Sequence, residues 1–337
     1  MELRSLGRTG VKVSSLCLGC MMFGGKTSPK DSYDIIDRAL DAGINFIDTA
    51  NVYNRGRSEE ATGEALKRNG KRNQVILATK VHGQMGEGPN DMNNTRRHIV
   101  QSVEDSLRRL GTDWIDLYQI HRPQSDMPID ETLRALDDLV RSGKVRYLGA
   151  STFAAWQLIE SLWVSKEYGL NRFICEQPPY NLLDRRIERE LLPMAQSYGV
   201  GIIPWSPLAG GLLSGKYNRN EPPPEDSRYF NAENNPNSVY RRRWNSDFWD
   251  VIEGLEEIAR DKGVSLSQFA LAWTMQAQGV TSPIIGPRTM EQFEDNLKAA
   301  EVTFSAEELT AVDRVIRPGT NVTPYYEADW GVSQYRW

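Results

Sequence analysis

Residues Ile44 to Tyr53 read INFIDTANVY, a short apolar run that ends on a carboxylate and is followed five residues later by a phenol. An apolar run closed by turn-forming residues is typical of a buried strand, and the residues from Asp48 to Asn51 close this one. Polar chemistry therefore begins where the strand ends. If later strands place complementary groups at the same edge, Asp48 and Tyr53 form half of a catalytic site.

The composition indicates a globular protein with neither a nucleic-acid nor a membrane partner. The chain has 337 residues, 39% of them apolar, which is enough for a substantial core, and its net charge is −5. We interpret the basic triplet 241–243 as a solvated loop, because a phosphate backbone calls for a more extended basic surface. No run approaches the roughly 20 apolar residues that cross a bilayer, and the first residues lack the apolar centre of a secretory signal.

The cysteines favour a reducing setting. Cys17, Cys20 and Cys175 are too few and too far apart for a disulfide framework or a zinc site, and there are three histidines. We therefore predict a cytoplasmic protein without a metal site.

Short apolar runs alternate with helical patterns roughly eight times along the chain. The predicted strands are Ser15–Leu18, Ile44–Ile47, Val75–Thr79, Ile115–Ile120, Val145–Ala150, Phe173–Glu176, Gly201–Trp205 and Pro283–Ile285. The predicted helices are Ser32–Asp41, Glu59–Arg68, Arg97–Leu110, Glu131–Ser142, Ala155–Glu167, Glu188–Ser197, Val251–Lys262 and Met290–Ala300. Alternation of this kind predicts an α/β protein of parallel βαβ units, and eight units close into a (β/α)8 TIM barrel. An open doubly wound sheet is the alternative.

Turn residues refine this prediction. Gly43, Gly143 and Gly199 each follow a predicted helix, where a glycine can take the left-handed conformation that ends it. The turn cluster Gly7–Gly10 lies between two short strand patterns and predicts an N-terminal β-hairpin that caps the barrel.

Two segments depart from the alternation inside what we predict to be a single domain, residues 1–337. Residues 218–247 are rich in Pro, Asn and charge and predict a long loop at the C-terminal face of the barrel, with a disordered linker between domains as the alternative. Residues 318–337 form a C-terminal tail expected to pack back over the body because of its aromatic residues, which are Tyr325, Tyr326, Trp330, Tyr335 and Trp337.

Working residues of a barrel lie at the C-terminal ends of its strands. The second predicted strand ends in Asp48, with Tyr53 just beyond it, the third ends in Lys80 and the fourth in His121. Singly, each has a simpler explanation: a helix cap, a core aromatic, a surface lysine and a structural histidine. Four such groups after three successive strands favour a catalytic set.

This set has the chemistry to reduce a carbonyl group. A nearby ammonium favours the phenolate of a tyrosine, so Lys80, held by Asp48, would help Tyr53 donate a proton to an oxyanion. A neutral His121 would orient the same oxygen. The set contains no reductant, so the hydride must come from a cofactor.

The motifs point to a nucleotide bound without a Rossmann fold. Residues 210–217 read GGLLSGKY, which matches a P-loop up to its last position, but Tyr217 cannot ligate magnesium as Ser or Thr would. A phosphohydrolase is therefore disfavoured, although Lys216 can still bind phosphate. Arg288 stands where the last predicted strand leads into a helix, a position that suits a second phosphate contact. The sequence lacks a strand followed by G-x-G-x-x-G.

Together these residues resemble the aldo-keto reductase superfamily from Leu6 to about Leu309. The motifs that carry the resemblance are INFIDTANVY, Ala78-Thr79-Lys80, Gln119-Ile120-His121, Gly149-Ala150-Ser151, Glu176-Gln177, Trp205-Ser206-Pro207-Leu208 and Ile285-Gly286-Pro287-Arg288 with Gln292 and Asn296.

The resemblance implies a barrel that uses NADPH/NADP to reduce a small-molecule carbonyl substrate, an aldehyde or ketone, to an alcohol. It implies a catalytic tetrad of Asp48, Tyr53, Lys80 and His121, with Tyr53 as the general acid. Arg288 beside the expected 2′-phosphate favours NADP(H) over NAD(H). The implied cofactor contacts are Gly19, Met21, Asp48, Ser151, Gln177, Trp205, Ser206, Pro207, Leu208, Gly210, Lys216, Gly286, Arg288, Gln292 and Asn296.

One departure leaves an alternative function open. Many members have Tyr where this chain has Trp205, and the tryptophan with the Ser-Gly-Lys-Tyr motif is similar to the potassium-channel beta subunits. Those proteins lack the histidine that is present here as His121, which favours an ordinary reductase. The alternative is an NADPH-binding regulatory subunit.

Overall fold

The computed structural model of this protein describes residues 1–230, Ser238, Tyr240 and 243–325. Its strands are β1 Leu3–Ser5, β2 Lys12–Ser14, β3 Cys17–Gly19, β4 Phe46–Asp48, β5 Ile76–Val81, β6 Ile115–Ile120, β7 Val145–Ser151, β8 Phe173–Gln177, β9 Gly201–Ile202 and β10 Ile284–Ile285. The helices among these residues are α1 Pro29–Asp41, α2 Arg57–Asn69, α3 Arg96–Leu110, α4 Ile129–Arg141, α5 Ala155–Tyr168, α6 Leu191–Tyr198, α7 Phe248–Asp261, α8 Leu266–Gln276, α9 Met290–Lys298 and α10 Ala306–Val315.

Strands β3 to β10 form one parallel sheet in the order β10-β3-β4-β5-β6-β7-β8-β9. Its two edges meet: the N–H of Ile284 donates to the carbonyl of Pro204 at 2.8 Å, and the N–H of Thr281 donates to that of Ile202 at 2.7 Å. The sheet is therefore closed, and the predicted (β/α)8 barrel is confirmed, whereas the open doubly wound sheet is wrong.

The predicted N-terminal hairpin is also confirmed. β1 and β2 pair antiparallel, and Leu6, which follows β1, and Val13, in the middle of β2, are fully buried against residues of the barrel interior. The N–H of Arg8 donates to the carbonyl of Gly199, next to the start of β9. The hairpin thus covers the amino-terminal end of the barrel and leaves the carboxyl-terminal end for chemistry.

Strand alternation separates two cores. The larger one lies between the strands and the helices, and the smaller one fills the barrel. Barrel-filling residues lie two positions before inward-facing polar residues on the same strands, so an apolar layer supports the polar layer at the carboxyl-terminal end. These pairs are Phe46 and Asp48, Ala78 and Lys80, Leu117 and Gln119, and Cys175 and Gln177.

The expected glycine ends are present, because Gly43, Gly143 and Gly199 have φ values of 82°, 79° and 66°. Helices α8 and α10 were not predicted. Both begin with a capping box, Ser265 with Gln268 and Ser305 with Glu308.

The long loop and the tail are described in part. In residues 218–230 and 320–325, Tyr229 and Tyr325 pack on the body and are 1% exposed, whereas residues 218–222 are exposed. The predictions for Asn234–Pro236, for Arg241 and Arg242, and for the tail after Tyr325 lie outside the described residues. Arg243, the third residue of the basic triplet, is 6% exposed and bonds to the Pro324 carbonyl, so the solvated loop is wrong at this position. The single domain over 1–337 stays a prediction.

Candidate active site

A buried ion pair occupies the centre of the carboxyl-terminal end of the barrel. Asp48 ends β4 and Lys80 lies in β5, next to it in the sheet, and their side chains are 3% and 0% exposed. Lys80 Nζ lies 2.5 Å from Asp48 Oδ1 and 2.8 Å from the carbonyl oxygen of Thr49. Burial alone would lower the pKa of Lys80, but Asp48 and Tyr53 outweigh burial and raise it. Lys80 is therefore a buried ammonium at neutral pH, not a surface lysine.

Tyr53 contacts this ammonium from the loop after β4. Its hydroxyl accepts a hydrogen bond from Lys80 Nζ at 3.2 Å, and Nζ lies 4.8 Å from the centroid of the ring. The loop is held in place by Asn54, which has a left-handed φ of 50° and whose Nδ2 donates to the carbonyls of Met21 and Phe23. These bonds tie the loop after β4 to the loop after β3 and so position the phenol.

His121 completes the predicted tetrad. Its N–H donates to the carbonyl of Val81 at the end of β5, and its ring packs edge to face against Tyr53 with centroids 5.6 Å apart. Burial, together with the positive charges of Arg122 and Lys80, holds the pKa of His121 well below its ordinary value. The imidazole is therefore neutral at pH 7 and carries one N–H donor.

Two glutamine side chains hold the second carboxylate oxygen of Asp48. Gln119 Nε2 donates to Oδ2 at 2.9 Å and Gln177 Nε2 at 3.0 Å, and Gln177 also donates to Gln119 Oε1. Sequence reasoning missed this role of Gln119. The signal was available, because Gln119 lies two residues before His121 and so faces the same way as the strand end.

The next strands form a second wall. At the end of β7, the Ser151 hydroxyl donates to the carbonyl of Gln177 at 2.9 Å, and the following residue, Thr152, has a left-handed φ of 63°. Trp205 is held by backbone bonds to Pro178 and Tyr180, and its indole Nε1 is buried without a hydrogen-bond partner among the described residues. A buried indole N–H without a partner is a group that a bound ligand could satisfy.

The glycine-rich loop after β9 contains four residues with positive φ, a backbone conformation that is rare for residues other than glycine. Ser206, Ala209, Gly210 and Gly211 have φ values of 55°, 50°, 64° and 109°. Tyr217, the last residue of the P-loop-like motif, is 4% exposed and packs on Tyr229 and Trp244. It is a core residue and not a metal ligand. Pro207 and Leu208 lie in the turn between these φ-positive residues, and Leu208 accepts from the N–H of Gly211.

Two cations stand at the far end of the site, at Lys216 and Arg288. Burial lowers the pKa of Lys216, and the positive charge of Arg288 lowers it further. The Arg288 side chain donates to the Asp226 carboxylate at 3.0 Å. The backbone N–H of Arg288 donates to Gln292 Oε1, on α9, at 2.8 Å. Asn296 is 6% exposed on the same helix.

Of the remaining predicted cofactor residues, Gly19 has a structural role, whereas Gly286 and Met21 have open surroundings. A Cβ on Gly19 would lie 2.6 Å from the Ile284 side chain and 2.9 Å from the Ile285 carbonyl, so only glycine fits between β3 and β10 here. A Cβ on Gly286 would meet nothing within 4 Å. Met21 is 38% exposed.

The donor set fits a dinucleotide. Lys216, Arg288 and the amino terminus of α9 are groups of the kind that bind phosphate, and the indole N–H of Trp205, which has no partner among the described residues, lies in the loop after β9. Among the described residues, no cluster of His, Cys, Asp and Glu is arranged to hold a metal ion. No helix in the described part of the chain is long and apolar enough to span a membrane.

A closed α/β barrel with its ionisable side chains gathered at the carboxyl ends of the strands has the architecture of a barrel enzyme. The model of the Aldo/keto reductase family matches residues 15–317. The chain belongs to this family.

Relatives of different names align over almost the whole chain. An uncharacterized oxidoreductase, YrpG, of Bacillus subtilis (strain 168) is 38% identical, over 96% of this chain and 98% of that protein. A probable voltage-gated potassium channel subunit beta of Oryza sativa subsp. japonica is 37% identical, over 97% of this chain and 100% of its own. A versiconal hemiacetal acetate reductase of Aspergillus parasiticus is 35% identical, over 95% and 99%. The family, the Bacillus subtilis oxidoreductase and the Aspergillus parasiticus reductase support an oxidoreductase.

Proposed function

We propose that this protein reduces aldehydes or ketones to alcohols with NADPH, with Tyr53 as the general acid. The observation that carries the proposal is the contact between the Tyr53 hydroxyl and the Lys80 ammonium at 3.2 Å, beside a neutral His121. An ammonium at this distance stabilises the phenolate that forms when the tyrosine gives up its proton.

Each member of the tetrad has one task. The Tyr53 hydroxyl gives its proton to the carbonyl oxygen as negative charge develops there, and Lys80 stabilises the phenolate that remains. Asp48 fixes the ammonium through the 2.5 Å contact, and Gln119 holds Asp48 in turn. The neutral imidazole of His121 donates its N–H to the same carbonyl oxygen and orients it.

The cofactor, when bound, supplies the hydride that this set lacks. Trp205 would stack on the nicotinamide, Ser151 and Gln177 Oε1 would bond its carboxamide, and Lys216 would contact the pyrophosphate. Arg288, now paired with Asp226, would take the 2′-phosphate. The other residues proposed to line the cofactor are Gly19, Met21, Asp48, Ser206, Pro207, Leu208, Gly210, Gly286, Gln292 and Asn296.

A cytoplasmic setting is part of the proposal. Cys17, Cys20 and Cys175 are all buried free thiols, which supports a reducing compartment.

The second candidate is an NADPH-binding regulatory subunit, favoured by the rice relative that bears a channel-subunit name. Both candidates bind the cofactor, and they differ in turnover. Turnover that depends on Tyr53 separates them.

The test is a panel of aromatic and short-chain aldehydes with NADPH and with NADH, followed by the loss of reduced-nicotinamide absorbance. We expect NADPH oxidation by the wild type. Tyr53→Phe should lower kcat by at least about a hundredfold, because general acid catalysis typically contributes that much, while the Kd for NADPH changes little. Equal turnover by the variant would refute Tyr53 as the acid, and NADPH binding without turnover by the wild type would favour the regulatory subunit.

A further inference from the structure

A second imidazole lies beside His121 at the carboxyl-terminal end of the barrel, and the tetrad does not use it. His82 follows β5 directly, two residues after Lys80, so the alternation of side chains along the strand puts it on the inward side. Val81 and Ile120 are paired in the sheet, and the N–H of His121 donates to the Val81 carbonyl at 2.9 Å. His82 and His121 are therefore neighbours on adjacent strands.

The loop that begins with His82 lies against the loop that carries the proposed acid. A Cβ on Gly83 would lie 2.9 Å from Cγ2 of Val52, the residue before Tyr53. The end of the same loop returns to His82, because the N–H of Asn93 donates to the His82 carbonyl at 2.7 Å. The His82 side chain therefore stands at the mouth of the proposed site.

The side-chain amide of Asn94 decides which nitrogen of His82 carries the proton. Asn94 is 2% exposed, and its Nδ2 donates to the backbone carbonyl of Arg122 at 2.9 Å. Because a carbonyl oxygen only accepts, the NH2 group of the amide must face Arg122. The amide oxygen then faces His82 Nδ1 at 3.0 Å, and since this oxygen also only accepts, Nδ1 carries the proton.

The backbone of Asn94 is held as firmly as its side chain. Its N–H donates to Gln124 Oε1 at 2.7 Å, and its carbonyl accepts from Thr132 Oγ1 at 2.9 Å. Asn94 is thus bonded at both ends of its amide and at both of its backbone groups. This arrangement fixes the amide and, through it, the tautomer of His82.

His82 consequently presents a hydrogen-bond acceptor to the mouth. Burial lowers its pKa, the bond with Asn94 opposes that shift, and the positive charge of Arg122 adds to it, so the ring is neutral at pH 7. With the proton on Nδ1, Nε2 carries a lone pair, and it accepts no hydrogen bond from the described residues. The mouth therefore offers an N–H donor at His121 and an acceptor at His82.

We propose that the carbonyl substrate of this site carries a hydroxyl group, which donates to His82 Nε2 while the carbonyl oxygen lies at Tyr53 and His121. A substrate without a donor leaves this lone pair unpaired when it displaces water, and the site disfavours it. His82 is then a specificity-determining residue, and the preferred substrates are hydroxyaldehydes or hydroxyketones. This inference rests on the proposed function and names the substrate class of the same site.

Matched aldehydes with and without a donor test this inference at saturating NADPH. Each isomer of hydroxybenzaldehyde is compared with the fluorobenzaldehyde that carries fluorine at the same position, and glycolaldehyde is compared with propionaldehyde. We expect His82→Phe to lower kcat/KM for at least one hydroxyaldehyde roughly three- to tenfold more than for its partner, because one hydrogen bond between neutral groups is lost. The loss should appear mainly in KM, since Tyr53 is unchanged. Comparing each variant with the wild type on the same aldehyde cancels differences in intrinsic reactivity.

Three further variants guard against a merely structural effect. His82→Gln keeps an acceptor oxygen and should retain part of the preference for the hydroxyaldehyde. His82→Leu removes the acceptor with a smaller side chain, should behave as His82→Phe does, and carries the test if phenylalanine does not fit. Glu87→Gln, at an exposed position of the same loop, should leave the ratio of the two kcat/KM values unchanged.

The outcomes separate this inference from the proposed function. If His82→Phe and His82→Leu lower kcat/KM equally for the two members of every pair, the hydroxyl contact is wrong and the reductase stands. If the wild type reduces none of these aldehydes or the wider panel, the reductase itself is wrong. If the His82 variants raise the Kd for NADPH and leave the ratios unchanged, the imidazole serves the cofactor and this inference is overturned.

Discussion

The ammonium of Lys80 has three protons and three acceptors. Asp48 Oδ1, the Thr49 carbonyl and the Tyr53 hydroxyl lie 2.5, 2.8 and 3.2 Å from Nζ. A buried charge is stable when it is paired and all its protons are bonded, which is the case here. The phenol is the last and longest of these three contacts. A full hydrogen-bond complement thus directs one of the three protons of Lys80 toward the proposed acid.

Glu176 is a buried carboxyl group in β8, and its titration makes the stability of the protein depend on pH. One carboxylate oxygen accepts from the N–H of Phe153 at 3.0 Å, and the other is buried without a partner among the described residues. Burial raises the pKa from an ordinary 4.5 to about 8 in the fold. Between these values the unfolded chain has lost the proton and the folded chain keeps it, so stability falls as pH rises through this window.

We therefore expect Glu176→Gln to abolish this part of the pH dependence. The free energy of unfolding of the variant, relative to wild type, should rise by on the order of 3 kcal/mol between pH 5 and pH 8. Urea denaturation at several pH values measures it. Glu160→Gln, at an exposed position of α5, serves as the matched control and should follow wild type. A constant difference between the Glu176 variant and wild type over this range would contradict the expectation.

The tetrad could be predicted from sequence because each member stands at or just after the end of an apolar run, a signal that needs no coordinates. The contacts of Gln119, Arg122 and Glu176 could not be predicted in this way. They depend on which way neighbouring strands face and on contacts between residues far apart in sequence, such as Gln119 with Asp48 and Arg122 with Trp205. Local pattern does not contain these pairings.

At the scale of elements, the hairpin is fastened by the close approach of its turn to the barrel. Gly7 has a φ of 58°, and a Cβ there would lie 2.4 Å from the Ile174 carbonyl oxygen and 2.9 Å from that of Gly199. Both atoms belong to backbone that cannot move without disturbing the starts of β8 and β9. Gly10, in the same turn, has open space around it.

Gly7→Ala should therefore destabilise the protein, and Gly10→Ala should not. We expect a loss of at least about 2 kcal/mol for Gly7→Ala from the left-handed backbone and the overlap. The matched Gly10→Ala should stay within about 0.5 kcal/mol of wild type. Thermal and urea unfolding measure both. Equal stability of the two variants would mean that the hairpin does not depend on this approach.

Element types were easier to predict than element ends. The apolar runs gave the strands of the barrel, but β9 ends at Ile202, not Trp205, because Pro204 has no N–H to donate to a ladder. Helix α8 was missed because Leu266–Gln276 is buried on nearly all sides and has no polar face to produce a helical period. Its capping box was the readable signal.

At the scale of the whole molecule, the proposed cofactor site runs from Tyr53 to Arg288 across the face of the barrel. Its far end draws together Lys216 after β9, Asp226 in the long loop and Arg288 after β10. The Asp226 carboxylate binds the Arg288 guanidinium at the place where the proposed 2′-phosphate would bind. The Asp226 side chain is 72% exposed and that of Arg288 is 24% exposed, so the pair contributes little stability and the proposed 2′-phosphate could displace the carboxylate.

Arg288→Ala should weaken NADPH much more than NADH. The expected loss for NADPH is roughly ten- to hundredfold in Kd, because a charged bidentate contact disappears, whereas NADH lacks the 2′-phosphate. Fluorescence titration with both cofactors measures the two Kd values. Arg146→Gln, at an exposed position near the start of β7, provides the control and should leave both unchanged. Equal losses for the two cofactors would show that Arg288 does not distinguish them.

The barrel closes between β9 and β10, its two shortest parallel strands, and the proposed catalytic groups lie on the other side of the barrel. Strands β4 to β6, two of which have six residues, support the proposed acid, its ammonium and the imidazole. The segments Trp205 to Lys216 and Gly286 to Asn296 follow β9 and β10, which have two residues each. The longer strands make more backbone hydrogen bonds with their neighbours than β9 and β10 do, so they hold the side chains at their ends more rigidly. The proposed dinucleotide would then enter and leave on the flank of the two-residue strands, and the contacts among Tyr53, Lys80 and Asp48 on the opposite flank would stay unchanged between turnovers.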